Sequence, residues 1–205
     1  MADLQIEAAE RAPGRRAQNK AELAGRILAA ARDAFVADGV NDADLADIAR
    51  KAKVGRATLY RYFDGKDALL KALLDEDWDA QAGLFKRLAQ APMIDAPTVE
   101  AWVRLLIRAT EARLGSFPIY HAVGIGGLRG QRERLMDILG ERLPGFARPA
   151  GARRERVEAL LVLMQIEEFT AHVAVNPNLV EMERGVALIT AQLLALAKPQ
   201  KGSTG

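Results

Sequence analysis

Ten consecutive residues, Val54-Gly55-Arg56-Ala57-Thr58-Leu59-Tyr60-Arg61-Tyr62-Phe63, gather the side chains best suited to gripping a polyanion. At 100° per residue Leu59 and Phe63 share one side of a helix, while Ala57, Thr58, Arg61 and Tyr62 form an arc on the other. A small residue and a threonine permit close approach to the edges of a nucleic-acid groove. An arginine can hold guanine through two hydrogen bonds, and tyrosine hydroxyls can reach phosphates. Gly55 and Arg56 add backbone amides and a positive charge at the helix start, where phosphate is favoured. Just upstream, Leu45, Ile48, Ala49 and Ala52 fall on one face of another short helix, with Ala46, Asp47, Arg50 and Lys51 toward solvent and Asp44 as N-cap. Two short amphipathic helices joined at the turn Lys53-Val54-Gly55 make a helix-turn-helix, whose second helix enters a DNA major groove.

Other chemistries find less support in the residues. Neither serine, Ser116 beside a proline or Ser203 in a polar tail, lies in a nucleophile-elbow pattern. With two histidines, His121 and His172, and no cysteine, the chain lacks the spacing of a structural zinc site. The cluster Gly124-Ile125-Gly126-Gly127 has no preceding strand and no following Gly-Lys-Ser/Thr, so a kink or a close helix contact explains it better than a phosphate cradle. No cofactor and no catalytic activity are expected. Glu167 is different, because it projects from an apolar stripe on a long helix and an unpaired buried carboxylate is costly. It calls for an arginine such as Arg104, Arg108 or Arg113, for a place at the edge of a subunit interface, or for a ligand pocket walled by Trp102, Phe117, Tyr120 and Met164. His172 is a further candidate ligand contact, although Glu168, four residues before it, could pair with it instead.

From about Ala24 to Leu74 the chain resembles the N-terminal DNA-binding domain of TetR-type transcriptional regulators, most specifically over Val54 to Phe63 and at Lys66 and Leu69. The resemblance implies base or backbone contacts from Thr58, Arg61 and Tyr62 and phosphate contacts from Tyr60 and Lys66. The chain departs from the family pattern at Lys53, where glycine is usual in the turn, at Gly55, where serine is usual, and at Ala57, where glycine is usual. A lysine in a left-handed turn costs about 1 kcal/mol, and losing the capping hydroxyl costs a few tenths.

The elements that must position these groups read as helices throughout. Half of the 205 residues are apolar, alanine and leucine dominate, and no stretch sustains strand alternation. The net charge is only +2, yet from Arg15 to Lys66 there are eleven bases against seven acids. The patterning predicts a helix from Lys20 to Asp38, the helix-turn-helix, and a helix from Lys66 to Ala89. Further helices are expected over Thr98 to Leu114, Gln131 to Arg142, Ala152 to Val175 and Leu179 to Ala197, with the glycine-rich Ile119 to Arg129 as a break.

The expected fold is therefore all-α. Residues 1–19 form a flexible arm, 20–66 a three-helix DNA-binding domain, 67–197 a helical effector-binding and dimerisation domain, and 198–205 a disordered tail. Without an N-terminal apolar segment or a membrane-length apolar run, a cytoplasmic protein that binds no membrane is expected. The resemblance implies a regulator, most often a repressor, that binds a pseudo-palindromic DNA operator as a homodimer. It also implies release by a small hydrophobic effector and dimerisation through the last two helices. The alternatives are an adaptor or coactivator with the same architecture, acting mainly through protein contacts, and a small helical enzyme.

Overall fold

The computed structural model describes residues 14–116, 119–120, 124–147, 153–178 and 181–197, and every regular element among them is helical. Among the described residues eight α-helices are delimited, in order: α1 (Arg15–Asp38), α2 (Leu45–Lys51), α3 (Arg56–Tyr62), α4 (Lys66–Ala89), α5 (Ala96–Glu111), α6 (Gly124–Gly140), α7 (Arg153–Val175) and α8 (Met182–Ala197). Short 3-10 turns occupy Leu114–Ser116 and Pro144–Phe146. The expected arm before Pro13, Phe117, His121 and the tail from Lys198 lie outside the described residues. None of the described helices is long and apolar enough to cross a membrane.

The chain divides into two units, residues 1–72 and 73–205. In the first, α1 lays Ile27, Ala30, Ala31, Ala34 and Phe35 inward at helical spacing, all buried. α1 packs on α2 and α2 on α3. Ile48, Ala49 and Ala52 from α2 and its cap, Leu59 from α3 and Leu69 from the start of α4 are buried with them. Burying side chains of the size of Ile27, Phe35, Ile48, Leu59 and Leu69 stabilises by roughly 1.5–3 kcal/mol each. Alanines fill the remaining inward positions, so short helices can approach closely.

Two local features set the ends of these helices. Asp44 accepts a hydrogen bond from the Ala46 amide at 2.7 Å and starts α2, as its sequence position predicts. At the far end the Val54 amide donates to the Ala49 carbonyl and the Lys53 amide to that of Arg50. This is a Schellman closure with Lys53 in its left-handed position, at φ 56°. Before α4, Gly65 sits at φ 114°, which a residue with a Cβ adopts only under strain.

The second unit has its own core. α5 packs against both α7 and α8, and the Pro144–Phe146 turn packs on α6, α7 and α8. Val99, Val103, Leu135, Leu139, Leu143, Phe146, Ala159, Leu163 and Leu193 are completely buried there. The edge of Trp102 meets Phe85, with ring centroids 5.0 Å apart and planes at 86°. At Gly185 a Cβ would come within 2.1 Å of Phe169, so glycine allows α8 to lie directly on the α7 aromatic ring.

Several helix boundaries differ from the sequence expectation, and three helix starts show why. α1 begins at Arg15 rather than Lys20, so the last residues of the supposed flexible arm are helical. α6 begins at Gly124, within the glycine cluster expected to interrupt regular structure. Each glycine costs a helix about 1 kcal/mol, and tertiary bonds from the later turns of α6 offset this. Gln131 Nε2 donates to the Trp78 carbonyl at 3.3 Å and to Gln81 Oε1 at 3.1 Å, and Arg134 pairs with Asp79 at 2.8 Å. α5 starts two residues early, at Ala96, because Asp95 Oδ1 accepts from the Thr98 amide at 3.0 Å and Pro97 suits a first turn.

Candidate functional site

The candidate groove-facing residues come together on one short helix. On α3 only Leu59 is buried; Arg56, Ala57, Tyr60 and Arg61 are exposed, as is Gly55 at its N-cap, and Thr58 and Tyr62 are half-buried. The seven-residue helix is therefore anchored through one leucine and presents the rest outward. Tyr60 is 55% exposed, a large aromatic left on the surface within a cationic neighbourhood. The Arg61 guanidinium sits 5.8 Å from the centroid of the Tyr62 ring, which restrains it while leaving its hydrogen-bond donors outward.

Around this arc, one pair of α2 charges is internally matched. Arg50 pairs with Asp47 at 2.8 Å, and the hydrogen bond to Arg50 holds the Asp47 carboxyl below its usual range. Lys66, expected to clamp a phosphate, donates through Nζ to the Asn41 carbonyl in the connection between α1 and α2. An ammonium carries three donors. Lys66 therefore ties the start of α4 to that connection and keeps donors for an anion.

Phe63 takes extended backbone at the α3 C-cap and is half-buried.

In the second unit the residues expected to wall a ligand pocket are dispersed. Trp102 is 4% exposed, and its indole donates to the Leu84 carbonyl at 2.8 Å. The Tyr120 hydroxyl donates to Asp77 Oδ2 at 2.9 Å. Met164 is 40% exposed and His172 is exposed, both pointing outward from α7. Phe117 lies outside the described residues. The helical spacing of Met164 and Glu167 put them on one broad stripe, but that stripe turns from interior to surface between them. Glu168 and His172, four residues apart, form no pair among the described residues.

Glu167 does face inward, and its partner is Arg132 of α6 rather than an arginine of α5. Arg132 Nε donates to Glu167 Oε2 at 2.7 Å, with both side chains about three-quarters buried. Burial pushes the Glu167 carboxyl above its ordinary range, and the Arg132 guanidinium pulls it back only in part. Beside the pair, Gln81, Phe85, Thr110, Arg113 and Thr170 line a cleft of about 40 Å³. Pockets for drug-sized ligands run to ~300–1,000 Å³, so this cleft has room for only a few water molecules. Arg104, one of the partners considered from sequence, instead holds both oxygens of Glu183 at 2.8 and 2.7 Å. Among the described residues no cluster of metal-ligating side chains forms.

Comparison with known proteins agrees with the first unit's architecture. The family described as bacterial regulatory proteins, tetR family, matches residues 27–73. The HTH-type transcriptional repressor Rv3405c of Mycobacterium tuberculosis is 30% identical over 139 residues, which are 68% of this chain and 69% of that protein. The HTH-type transcriptional regulator SrpR of Pseudomonas putida is 51% identical over 53 residues, 26% of this chain, and the chain spans only 25% of its length. A tetR-family transcriptional regulator from Streptomyces coelicolor shares the fold at a TM-score of 0.65 with 18% identity, over 86% of this chain and 82% of that one. The long match to the mycobacterial protein, together with the helix-turn-helix on which the family description falls, places the chain: it belongs to the tetR family of bacterial regulatory proteins.

Proposed function

We propose that the protein represses transcription by binding a pseudo-palindromic operator as a homodimer and leaves it when a small-molecule effector binds the second unit. The observation that carries this reading is α3, buried through Leu59 alone and exposing Gly55, Arg56, Ala57, Tyr60 and Arg61. Thr58 and Arg61 read base edges, and Tyr60, Tyr62, Lys66 and the amides at Gly55 and Arg56 hold phosphates. Arg15, Arg16 and Lys20, all exposed on the first turns of α1, add phosphate contacts. The relative Rv3405c is itself named a transcriptional repressor, which favours repression over activation.

A second half-site requires a second copy, since two recognition helices must reach successive major grooves about 35 Å apart. The outer face of α7 supplies a matching surface: Val157, Leu161 and Met164 are 54%, 54% and 40% exposed at spacings of four and three residues, and Leu188 on α8 is 59% exposed. Such a stripe on two adjacent helices suits a four-helix contact between protomers. On the same two helices Val162, Ile166, Val173, Ile189, Leu193 and Leu196 are buried within the protomer, so Leu161 and Leu188 are the apolar residues left for such a contact.

Fluorescence anisotropy with DNA from upstream of the protein's own gene tests the reading. Specific binding is expected whose logarithm falls linearly with that of the salt concentration, with a slope set by the phosphates neutralised. Lys66→Ala should flatten that slope while weakening all sequences alike. Protein that captures partner proteins yet retains no upstream fragment at low salt would favour the adaptor reading and end this one.

A further inference from the structure

A groove on the second unit, away from Glu167, lies between the last turns of α4 and the length of α5. Its walls are Arg87 and Leu88 from α4 and Ala101, Trp102, Leu105 and Arg108 from α5, around about 230 Å³ of open space. The α5 residues recur at spacings of three and four, so one stripe of that helix forms the groove.

The floor is apolar and fixed. Leu88 is 1% exposed and Trp102 4%, and the indole is locked by its hydrogen bond to the Leu84 carbonyl and by the edge contact with Phe85. The rim is cationic. Arg87 and Arg108 are exposed, no carboxylate lines the groove, and neither guanidinium forms an ion pair or hydrogen bond with a described residue. Their neighbours behave otherwise: Arg104 is held by Glu183, Arg132 by Glu167 and Arg134 by Asp79. Glu111, one turn beyond Arg108 on α5, forms no bond to it.

We propose that this groove binds a small carboxylate with an apolar body, one aromatic ring or a short chain in size. The guanidinium forks of Arg87 and Arg108 match the planar carboxylate, and Leu88, Trp102 and Leu105 cover the body. Its volume falls below the ~300 Å³ at which drug-sized pockets begin, which sets the size. A rigid floor binds without first having to be ordered, so little of the interaction is lost on association.

Titration calorimetry on the full chain without DNA decides the matter, and does so independently of the repressor reading. The probes are sodium benzoate, the neutral isostere benzamide, and inorganic phosphate. Benzoate should saturate one site per chain, and benzamide and phosphate should each bind about tenfold more weakly or worse, since one lacks the charge and the other the apolar body. Arg87→Gln and Arg108→Gln should each weaken benzoate by about tenfold or more, the loss expected for one charge-assisted pair, with unfolding midpoints unchanged. Equal binding of benzoate and benzamide, phosphate binding as tight as benzoate, unaltered affinity in both arginine variants, or no saturable benzoate binding would each overturn the proposal.

Discussion

Arg56 and Arg61 of the first unit and Arg104 and Arg132 of the second carry the same group in opposite circumstances. The first two stand exposed on a helix anchored by one leucine. The other two are joined to carboxylates from distant parts of the chain, Glu183 seventy-nine residues away and Glu167 thirty-five. Exposed cations in a hydrated setting contribute little to stability. They remain available for a partner. The Arg132–Glu167 pair is about three-quarters buried, so removing one member leaves the other without compensation, whereas the Arg104–Glu183 pair lies nearer the surface. Substitution of Arg56 or Arg61 should therefore change binding and spare folding, and substitution of Arg132 should lower stability.

The largest effect tests that contrast within one helix. Leu193→Arg places a charge at a completely buried position of α8. It should cost more than about 4 kcal/mol and leave the protein unfolded in circular dichroism. Leu188→Arg, five residues away and 59% exposed, should keep the protomer within about 0.5 kcal/mol of the parent in urea unfolding. On the proposed dimer model it should also shift sedimentation toward the monomer. If Leu188→Arg sediments like the parent, the exposed stripe is not the dimer face.

Arg61→Ala comes next, with a loss of about 1–3 kcal/mol in operator affinity and an unchanged melting temperature. A variant that binds as tightly as the parent would remove Arg61 from the interface. A lowered melting temperature would break the contrast between the units.

Arg132→Gln should cost about 1–2 kcal/mol of stability, less than the 3–5 kcal/mol of a fully buried pair because both partners keep some solvent access. Its pH dependence follows from Glu167, whose carboxyl is raised by burial. Between the unfolded and folded values the native state holds the proton more tightly, so this group's contribution is present at low pH and is lost as the pH rises through the folded value. Removing Arg132 takes away the downward pull. The penalty measured by urea unfolding should therefore be larger at pH 8 than at pH 5, and Glu167→Gln in the same chain should relieve part of it. A penalty independent of pH would mean that the pair does not control this carboxyl.

The smallest effect concerns the turn of the helix-turn-helix. A side chain in the left-handed region costs about 1–2 kcal/mol, while glycine loses about 0.4–1 kcal/mol through the entropy of the unfolded chain. Lys53→Gly should thus raise stability by up to about 1 kcal/mol. A lower thermal midpoint would show that Lys53 makes compensating contacts.

Legibility from sequence divided along the same line. The helix-turn-helix could be read because its geometry is local: Asp44 caps two residues ahead, Lys53 turns the chain within a five-residue closure, and Leu59 alone among α3 residues points inward. Glu167 was recognisable as a buried carboxylate in need of a partner. Arg132 as that partner was not, because α6 was expected to begin only at Gln131 and nothing in helical periodicity says which helix faces which. The groove at Arg87 and Arg108 was hidden for the same reason. The long stripe of α7 was visible, but its division into an inner and an outer half, with Met164 and His172 outside, depends on how α5 and α8 lie against it.

The start of α1 carries one further consequence. Arg15 and Arg16 occupy the positive end of the helix dipole, no acidic residue lies in the first turn, and Gly14 offers no capping side chain. The first fully buried apolar residue is Ile27, three turns later. Residues 15–22 are all exposed, so among the described residues little beyond backbone hydrogen bonds opposes fraying there, and an unsupported helical turn is marginal in water. A nearby phosphate would cancel the unfavourable dipole term and occupy the open amides. Amide protons of residues 15–22 should then exchange rapidly in the isolated protein and slow on DNA, so that α1 lengthens as it binds and part of the gross affinity is spent ordering that turn.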